Sequence, residues 1–216
     1  MANVLPVDFE QPGPSSKAIE NVQSVLNSGG VIAFPTDTFY GLGANPFNPD
    51  ALSKIFQIKQ RPADKPLLIL IHSIDQLEDL TQEVTENARK LMEHFWPGPL
   101  TLIFKAALSL PDALTAGTGT IGIRLQDHPF TSKLLETLGR PLTAPSANIS
   151  GMGELTTAQQ VENSLVEKLE LIVDGGPAPG GKPSTVLDTT TNPPTLLREG
   201  AVSGDKLESL LPIQIR

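Results

Sequence analysis

Residues 30–66 read GVIAFPTDTFYGLGANPFNPDALSKIFQIKQRPADKP, passing from apolar to hydroxyl-rich and glycine-rich, then to cationic, within one turn-rich unit. Val31–Phe34 is a short buried strand by pattern, and Pro35 stops it. Thr36, Asp37, Thr38 and Tyr40 follow, and at Gly41 and Gly43 the backbone is free to bend or to let a ligand come close. A helix is then expected from Asp50, its candidate N-cap, to Lys59, with Leu52, Ile55 and Phe56 as its apolar stripe. Lys59 falls on that stripe, so its ammonium is directed toward the protein body, where an unpaired charge is costly. Arg61 precedes Pro62 and is biased to an extended exit, so Lys59 and Arg61 can converge on one anion. The same two residues also suit a helix end at which surface cations meet the macrodipole.

Outward from this unit, strand-like runs recur at Leu67–Ile71, Leu100–Phe104, Ile121–Leu125, Leu169–Val173 and Thr185–Asp188. Helical patterns cover Ser16–Asn27, Val84–Phe95, Pro129–Leu138, Thr157–Leu169 and Gly204–Leu211. Such alternation indicates an α/β or α+β domain built on one twisted sheet flanked by helices. No repeat or long linker divides residues 1–216, so one domain is expected, with its core at about residues 16–200 and no separate C-terminal domain.

The net charge of −8 argues against broad phosphate-backbone binding, although a local cationic pocket is compatible with an acidic protein. There is no cysteine, which excludes disulfides, thiolate metal sites and a cysteine nucleophile. No apolar run reaches membrane-spanning length and the N-terminal residues lack a signal-peptide pattern, so a cytoplasmic protein with no membrane partner is expected. His72, His94 and His128 have no metal-ligand spacing and read as surface or helix-end residues, and no metal site is expected in the protein itself.

Two motifs fail by context. Gly176 to Lys182 nearly spells a phosphate-binding loop, but Pro183 stands where Ser or Thr is needed and a strand pattern follows. Gly117, Gly119 and Gly122 match a dinucleotide fingerprint by spacing, yet they run into a strand. Ser146 lacks the elbow of a serine nucleophile. The Pro-rich, Gly-rich loop Gly175–Pro183 reads as a hinged flap beside the site, or else as a static turn.

Polar groups follow several of the short strands. Arg124 lies inside an apolar run and calls for a carboxylate or phosphate partner. Thr143–Asn148 offers small residues with hydroxyl and amide groups, and Lys182–Thr185 and Leu197–Gly200 add further donors. Lys59, Arg61, Arg124 and Arg198 beside hydroxyl-rich turns suit a nucleoside triphosphate and a small carboxylate, with catalysis by positioning and electrostatics. Four ordinary salt bridges are the alternative.

Lys59–Pro62 as K-x-R-P, Ser146–Asn148 as S-x-N, Pro35–Gly43 as PTDTFYGLG, Trp96–Pro99 and Lys182–Thr185 together resemble the YrdC-like threonylcarbamoyl-AMP synthases, over about residues 16–200. The resemblance implies a mixed sheet around a concave cationic cavity. It further implies synthesis of threonylcarbamoyl-AMP and pyrophosphate from L-threonine, bicarbonate and ATP, for N6-threonylcarbamoyladenosine in tRNA. By that resemblance Lys59 and Arg61 are catalytic and contact ATP with Lys65, Thr120, Ser146, Asn148 and Arg198. Thr38, Arg124, Ala144 and Ser184 would hold threonine, with Arg124 on its carboxylate. Mg²⁺ is expected with ATP, and a tRNA-modifying threonylcarbamoyl transferase as the downstream partner. Where relatives carry Asn and His, this chain has Lys65 and Leu70, and His72 would share a strand face with Leu70. The alternative is an RNA-binding or nucleotide-binding regulatory module without turnover, with weak RNA binding.

Overall fold

The computed structural model describes residues 3–7, 16–62, 65–165 and 168–215. Its first half runs β1 (Asn3–Pro6), α1 (Ser16–Asn27), β2 (Ile32–Pro35), β3 (Tyr40–Gly43), α2 (Pro49–Lys59), β4 (Ile69–Leu70), α3 (Leu77–Leu80), α4 (Glu86–Phe95) and β5 (Leu100–Lys105). The second half runs α5 (Asp112–Thr115), β6 (Thr120–Arg124), α6 (Pro129–Leu138), β7 (Leu142–Thr143), α7 (Ala158–Leu165), β8 (Leu171–Asp174), β9 (Thr185–Asp188), β10 (Thr195–Arg198), α8 (Gly204–Glu208) and β11 (Gln214–Ile215). None of these helices is long and apolar enough to cross a membrane.

The single sheet expected from the alternation is in fact two mixed sheets, one of four strands in the order β1-β8-β2-β3 and one of seven in the order β11-β10-β9-β5-β6-β4-β7. They meet along the segment 143–147. Thr143 donates its amide to Ala44 and Ala144 donates to Leu68, which lie on opposite sides of the seam. Pro145 then accepts from Leu42, and Ala147 donates to Tyr40. The Thr143 hydroxyl, fully buried, accepts from the Ala44 amide at 2.8 Å and donates to Leu42 O at 3.0 Å. These bonds pair backbone groups that the join would otherwise bury without partners.

Period-two alternation sorts β2 between two cores. Ile32 and Phe34 pack with Ile19, Val22 and Leu26 of α1 and with Phe130 and Leu134 of α6. Val31 and Ala33 face the larger core, with Leu52 and Ile55 of α2 and with the seven-stranded sheet. Full burial of one such aliphatic side chain is worth about 1.5–3 kcal/mol. Gly41 and Gly43, where a bend was expected, lie instead in β3, paired antiparallel with β2. A Cβ on Gly43 would come within 2.9 Å of Ile32 and Phe34 and 3.0 Å of Leu142, so the glycine gives its neighbours the space of its missing side chain.

Asn48, not Asp50, caps α2, its Oδ1 accepting from the amides of Asp50 at 3.0 Å and Ala51 at 3.2 Å. Pro49 occupies the first helical turn because it has no amide to satisfy, and the cap falls two residues earlier than Asp50. Thr85 likewise caps α4 and delays its start to Glu86. Where α7 was expected to reach Leu169, it ends at Leu165, with residues 166–167 outside the described residues.

Near the end of β10 the chain crosses the start of β9 with no room to spare, since a Cβ on Gly200 would lie 2.1 Å from Pro183 O and 2.7 Å from Ser184 C. Gly153, by contrast, has open space around it. Gly200→Ala is expected to lower stability by about 2–3 kcal/mol as an overpacking substitution, and Gly153→Ala by no more than about 0.5 kcal/mol. Urea unfolding of the two variants measures the difference.

Candidate functional site

A cavity of about 300 Å³ opens on one face of the seven-stranded sheet. Its floor is a register row: Arg198 of β10 lies opposite Val186, Val186 opposite Thr101, Ile103 opposite Gly122, and Arg124 opposite Leu70. The wall is the four-residue turn between β2 and β3, closed by Thr36 N to Phe39 O at 3.2 Å, together with Ala144–Ser146 from the seam. Arg61, Pro66 and Glu154 complete the rim. The apolar-then-hydroxyl order of residues 31–38 therefore carries the chain from core strand to cavity wall.

Arg124 is 2% exposed and forms a buried ion pair with Asp37, whose other oxygen accepts from the Asp127 amide at 3.3 Å. Its guanidinium also reaches the Thr36 and Thr38 hydroxyls, each at 3.4 Å. Burial, then the like charge of Arg198, pulls its pKa down to about 9. The Nε of Arg124 is buried and has no hydrogen-bond partner among the described residues. Such a donor in a cavity wall is costly until a ligand accepts from it.

Lys59 is directed inward as expected, at 2% exposure, but it does not line the cavity. Its ammonium donates to Ser146 O, to Asn148 O at 2.8 Å and to Asn148 Oδ1 at 3.1 Å. The same Oδ1 accepts from the Ser146 hydroxyl at 2.7 Å. Lys59 thus spends its three donors on the S-x-N turn and fixes the Ser146 hydroxyl at the cavity edge. Arg61, expected beside it, does line the cavity, with Nη2 donating to Pro66 O at 3.0 Å.

At the far end of the floor, Arg198 donates to Ser184 O at 2.9 Å and to Ser184 Oγ at 3.2 Å, and Ser184 Oγ shares a proton with Thr101 Oγ1 at 2.9 Å. Of the residues proposed from sequence, Thr38, Arg61, Arg124, Ala144, Ser146, Ser184 and Arg198 line this one cavity. Lys59, Lys65, Thr120 and Asn148 do not. Thr120 lies two residues beyond Gly122 on the β6 row and bonds Thr118 Oγ1 at 2.9 Å, whereas Lys65 is exposed next to the lining residue Pro66. Sequence reading missed Asp37 and Glu154 as site residues. Asp37 was legible as the acid nearest the hydroxyl turn, but nothing local marked Glu154.

The loop Gly175–Pro183, read from sequence as a hinged flap or else a static turn, is tied at three points. Tyr40 donates its hydroxyl to Gly176 O at 2.7 Å, Ala178 N donates to Thr156 O at 2.8 Å, and Gly180 N donates to Thr38 O at 2.8 Å. Burial, reinforced by Asp174, pushes the Tyr40 phenol up to about 12, so it stays a donor. Gly180 and Gly181 take positive φ and lead into β9, not into the helix that a phosphate-binding loop needs. His72 does not share the cavity with Leu70, because β4 ends at Leu70 and His72 turns into a separate cleft with Lys133 and Glu136. His94 lies in the last turn of α4, and His128 caps α6 with a pKa pushed down to about 4 by burial.

Fold and cavity define an α/β protein with a basic, hydroxyl-lined cleft at the junction of two mixed sheets. The Sua5/YciO/YrdC family model, described as "Telomere recombination", matches residues 24–200, and the chain belongs to that family. It is 45% identical over 91% of its length to the threonylcarbamoyl-AMP synthase of Bacillus subtilis, and 44% identical over 86% to that of Pyrococcus abyssi. The chain spans 58% and 55% of those two relatives. The crystal structure of P. abyssi Sua5 complexed with L-threonine superposes at a TM-score of 0.92, with 39% identity, over 100% of this chain and 62% of that one.

Burial, then Arg61, lowers the Lys59 pKa from 10.5 to about 8, and Glu154 opposes the fall. The folded state therefore sheds this proton first. Between about pH 8 and 10.5 the unfolded chain binds more protons, and stability from this group rises with pH. The urea stability of the wild type relative to Lys59→Met is expected to increase from about pH 8 to about pH 10. A difference that stays flat across this range would show that the Lys59 ammonium is not held at a lowered pKa.

Proposed function

We propose that this chain is an L-threonylcarbamoyladenylate synthase, forming threonylcarbamoyl-AMP and pyrophosphate from L-threonine, bicarbonate and ATP. The observation that carries the reading is Arg124, a buried guanidinium in the cavity wall with one donor unsatisfied and threonine-sized hydroxyl partners beside it. An amino-acid carboxylate at Arg124 would take that donor. Guanidinium has five N–H groups, so Asp37 can share it. Thr38, Ser184 and the Ala144 backbone are then placed for the substrate hydroxyl and amine.

At the other end Arg61, Arg198 and the Ser146 hydroxyl would take the phosphates, with Lys59 and Asn148 holding Ser146 in place. Lys65 and Thr120 are outer ATP contacts in this reading. The threonine amine and bicarbonate condense to a carbamate with loss of water. A carbamate oxygen then attacks the α-phosphorus, and the bond to the bridging oxygen of pyrophosphate breaks. The protein supplies orientation and positive potential along the developing charge, and no side chain needs to form a covalent intermediate. Mg²⁺ would arrive on the triphosphate with phosphate and water ligands, since among the described residues no group of three acidic or histidine side chains could hold it. The labile product would pass to a tRNA-modifying transferase. The net charge of −8 does not favour broad RNA binding.

Pyrophosphate release from ATP is expected only when threonine and bicarbonate are both present, and release without either one would refute this assignment. Arg61→Ala should reduce kcat/KM by about 30- to 1,000-fold, equivalent to roughly 2–4 kcal/mol, with an unchanged circular dichroism spectrum. Valine has the shape of threonine but leaves the hydroxyl partners unpaired, and should turn over at least about 100-fold more slowly. Equal turnover of the two amino acids would remove the polar pocket.

A further inference from the structure

Glu154 is an anomaly in a cavity otherwise built to receive anions. It lines the cavity together with Arg61, Ser146 and Arg198, the groups placed above on the phosphates. Its flanks are fixed. Asn148 Nδ2 donates to Met152 O at 2.6 Å, and Tyr40 N donates to Leu155 O at 2.9 Å, so the carboxylate is carried on a short span between two anchors. Yet Glu154 has no hydrogen-bond or ion-pair partner among the described residues. A structural carboxylate in such surroundings would be expected to pair directly with one of the arginines. This one acts on the cations through space, and its field supports the charged forms of both Lys59 and Arg198. Asp37 already neutralises Arg124 by contact, and the field of Glu154 acts on Lys59 and Arg198.

We propose that Glu154 is the resident counter-ion of the phosphate end of the cavity, weakening its hold on polyphosphate and so promoting release of pyrophosphate. Arg61 and Arg198 facing a product with several negative charges would retain it after the phosphorus–oxygen bond has broken. A fixed carboxylate in the same low-dielectric space repels substrate and product alike, and limits how tightly either is held. This inference rests on the synthase reading only in that the cavity accepts polyphosphate.

The test is calorimetric titration of the full chain with inorganic pyrophosphate, in chelator and again with Mg²⁺, for wild type, Glu154→Gln and Glu154→Asp. Removing one negative charge facing the ligand should tighten pyrophosphate binding about fivefold in Glu154→Gln, while Glu154→Asp should stay within about twofold of wild type. Because Glu154 makes no direct bond, both variants should retain the wild-type circular dichroism spectrum and thermal midpoint. Equal or weaker binding by Glu154→Gln in chelator would overturn the counter-ion role. Weaker binding confined to the Mg²⁺ arm would overturn it in favour of a metal ligand. If neither wild type nor Glu154→Gln binds pyrophosphate, the phosphate-accepting cavity itself falls, and with it the synthase reading.

Discussion

Everything about the cavity depends on the seam at residues 143–147, where one extended segment hydrogen-bonds to β3 on one side and toward β4 on the other. Two mixed sheets that merely abutted would leave edge amides and carbonyls buried without partners, each at a cost of about 1–3 kcal/mol. The Thr143 hydroxyl replaces a missing backbone partner on both Ala44 and Leu42. With the seam closed, the β2–β3 turn is held over the face of the larger sheet, and that overhang creates the concavity. The S-x-N turn is the immediate continuation of the seam, so its position is set by sheet architecture as well as by Lys59.

The charges of the site are arranged for selectivity within an acidic molecule. A net charge of −8 repels extended polyanions from the surface, while Arg61, Arg124 and Arg198 face a single cleft. Within the cleft, Asp37 pairs with Arg124 by contact, and the field of Glu154 partly offsets the lowering of the Lys59 and Arg198 pKa values by burial.

The fold was legible wherever a segment was long and periodic. Strands β2, β5, β6 and β9, and helices α1, α2, α4 and α6, follow directly from alternating or helical apolar patterns. The expected strand Leu67–Ile71 contains β4, shortened to Ile69–Leu70, whereas β7 has two residues, too short for any period, and β3 is half glycine. β3 gains its strand character from the hairpin with β2, and β7 from pairing with β4 far earlier in the chain, neither of which shows as an apolar period in a local window. Arg124 announced a buried anion partner, but its identity as Asp37 required the turn to be folded back over the sheet. Lys59 was correctly directed inward, yet only the structure shows its donors engaged by the S-x-N turn. Glu154 sits in a polar loop with nothing local to distinguish it from a solvated acid.

The packing at Gly43 also bears on how such a chain can change over generations. The space beside it is filled by Ile32, Phe34 and Leu142, contributed by two strands far apart in the sequence. A mutation giving residue 43 a side chain would gain a place only if several of those neighbours shrank, and any of them shrinking first would leave a void. Neither order offers a downhill first step. The residues of this corner are therefore locked into inheriting one another, while the exposed faces of α1 and α6, behind the same layer, are free to drift.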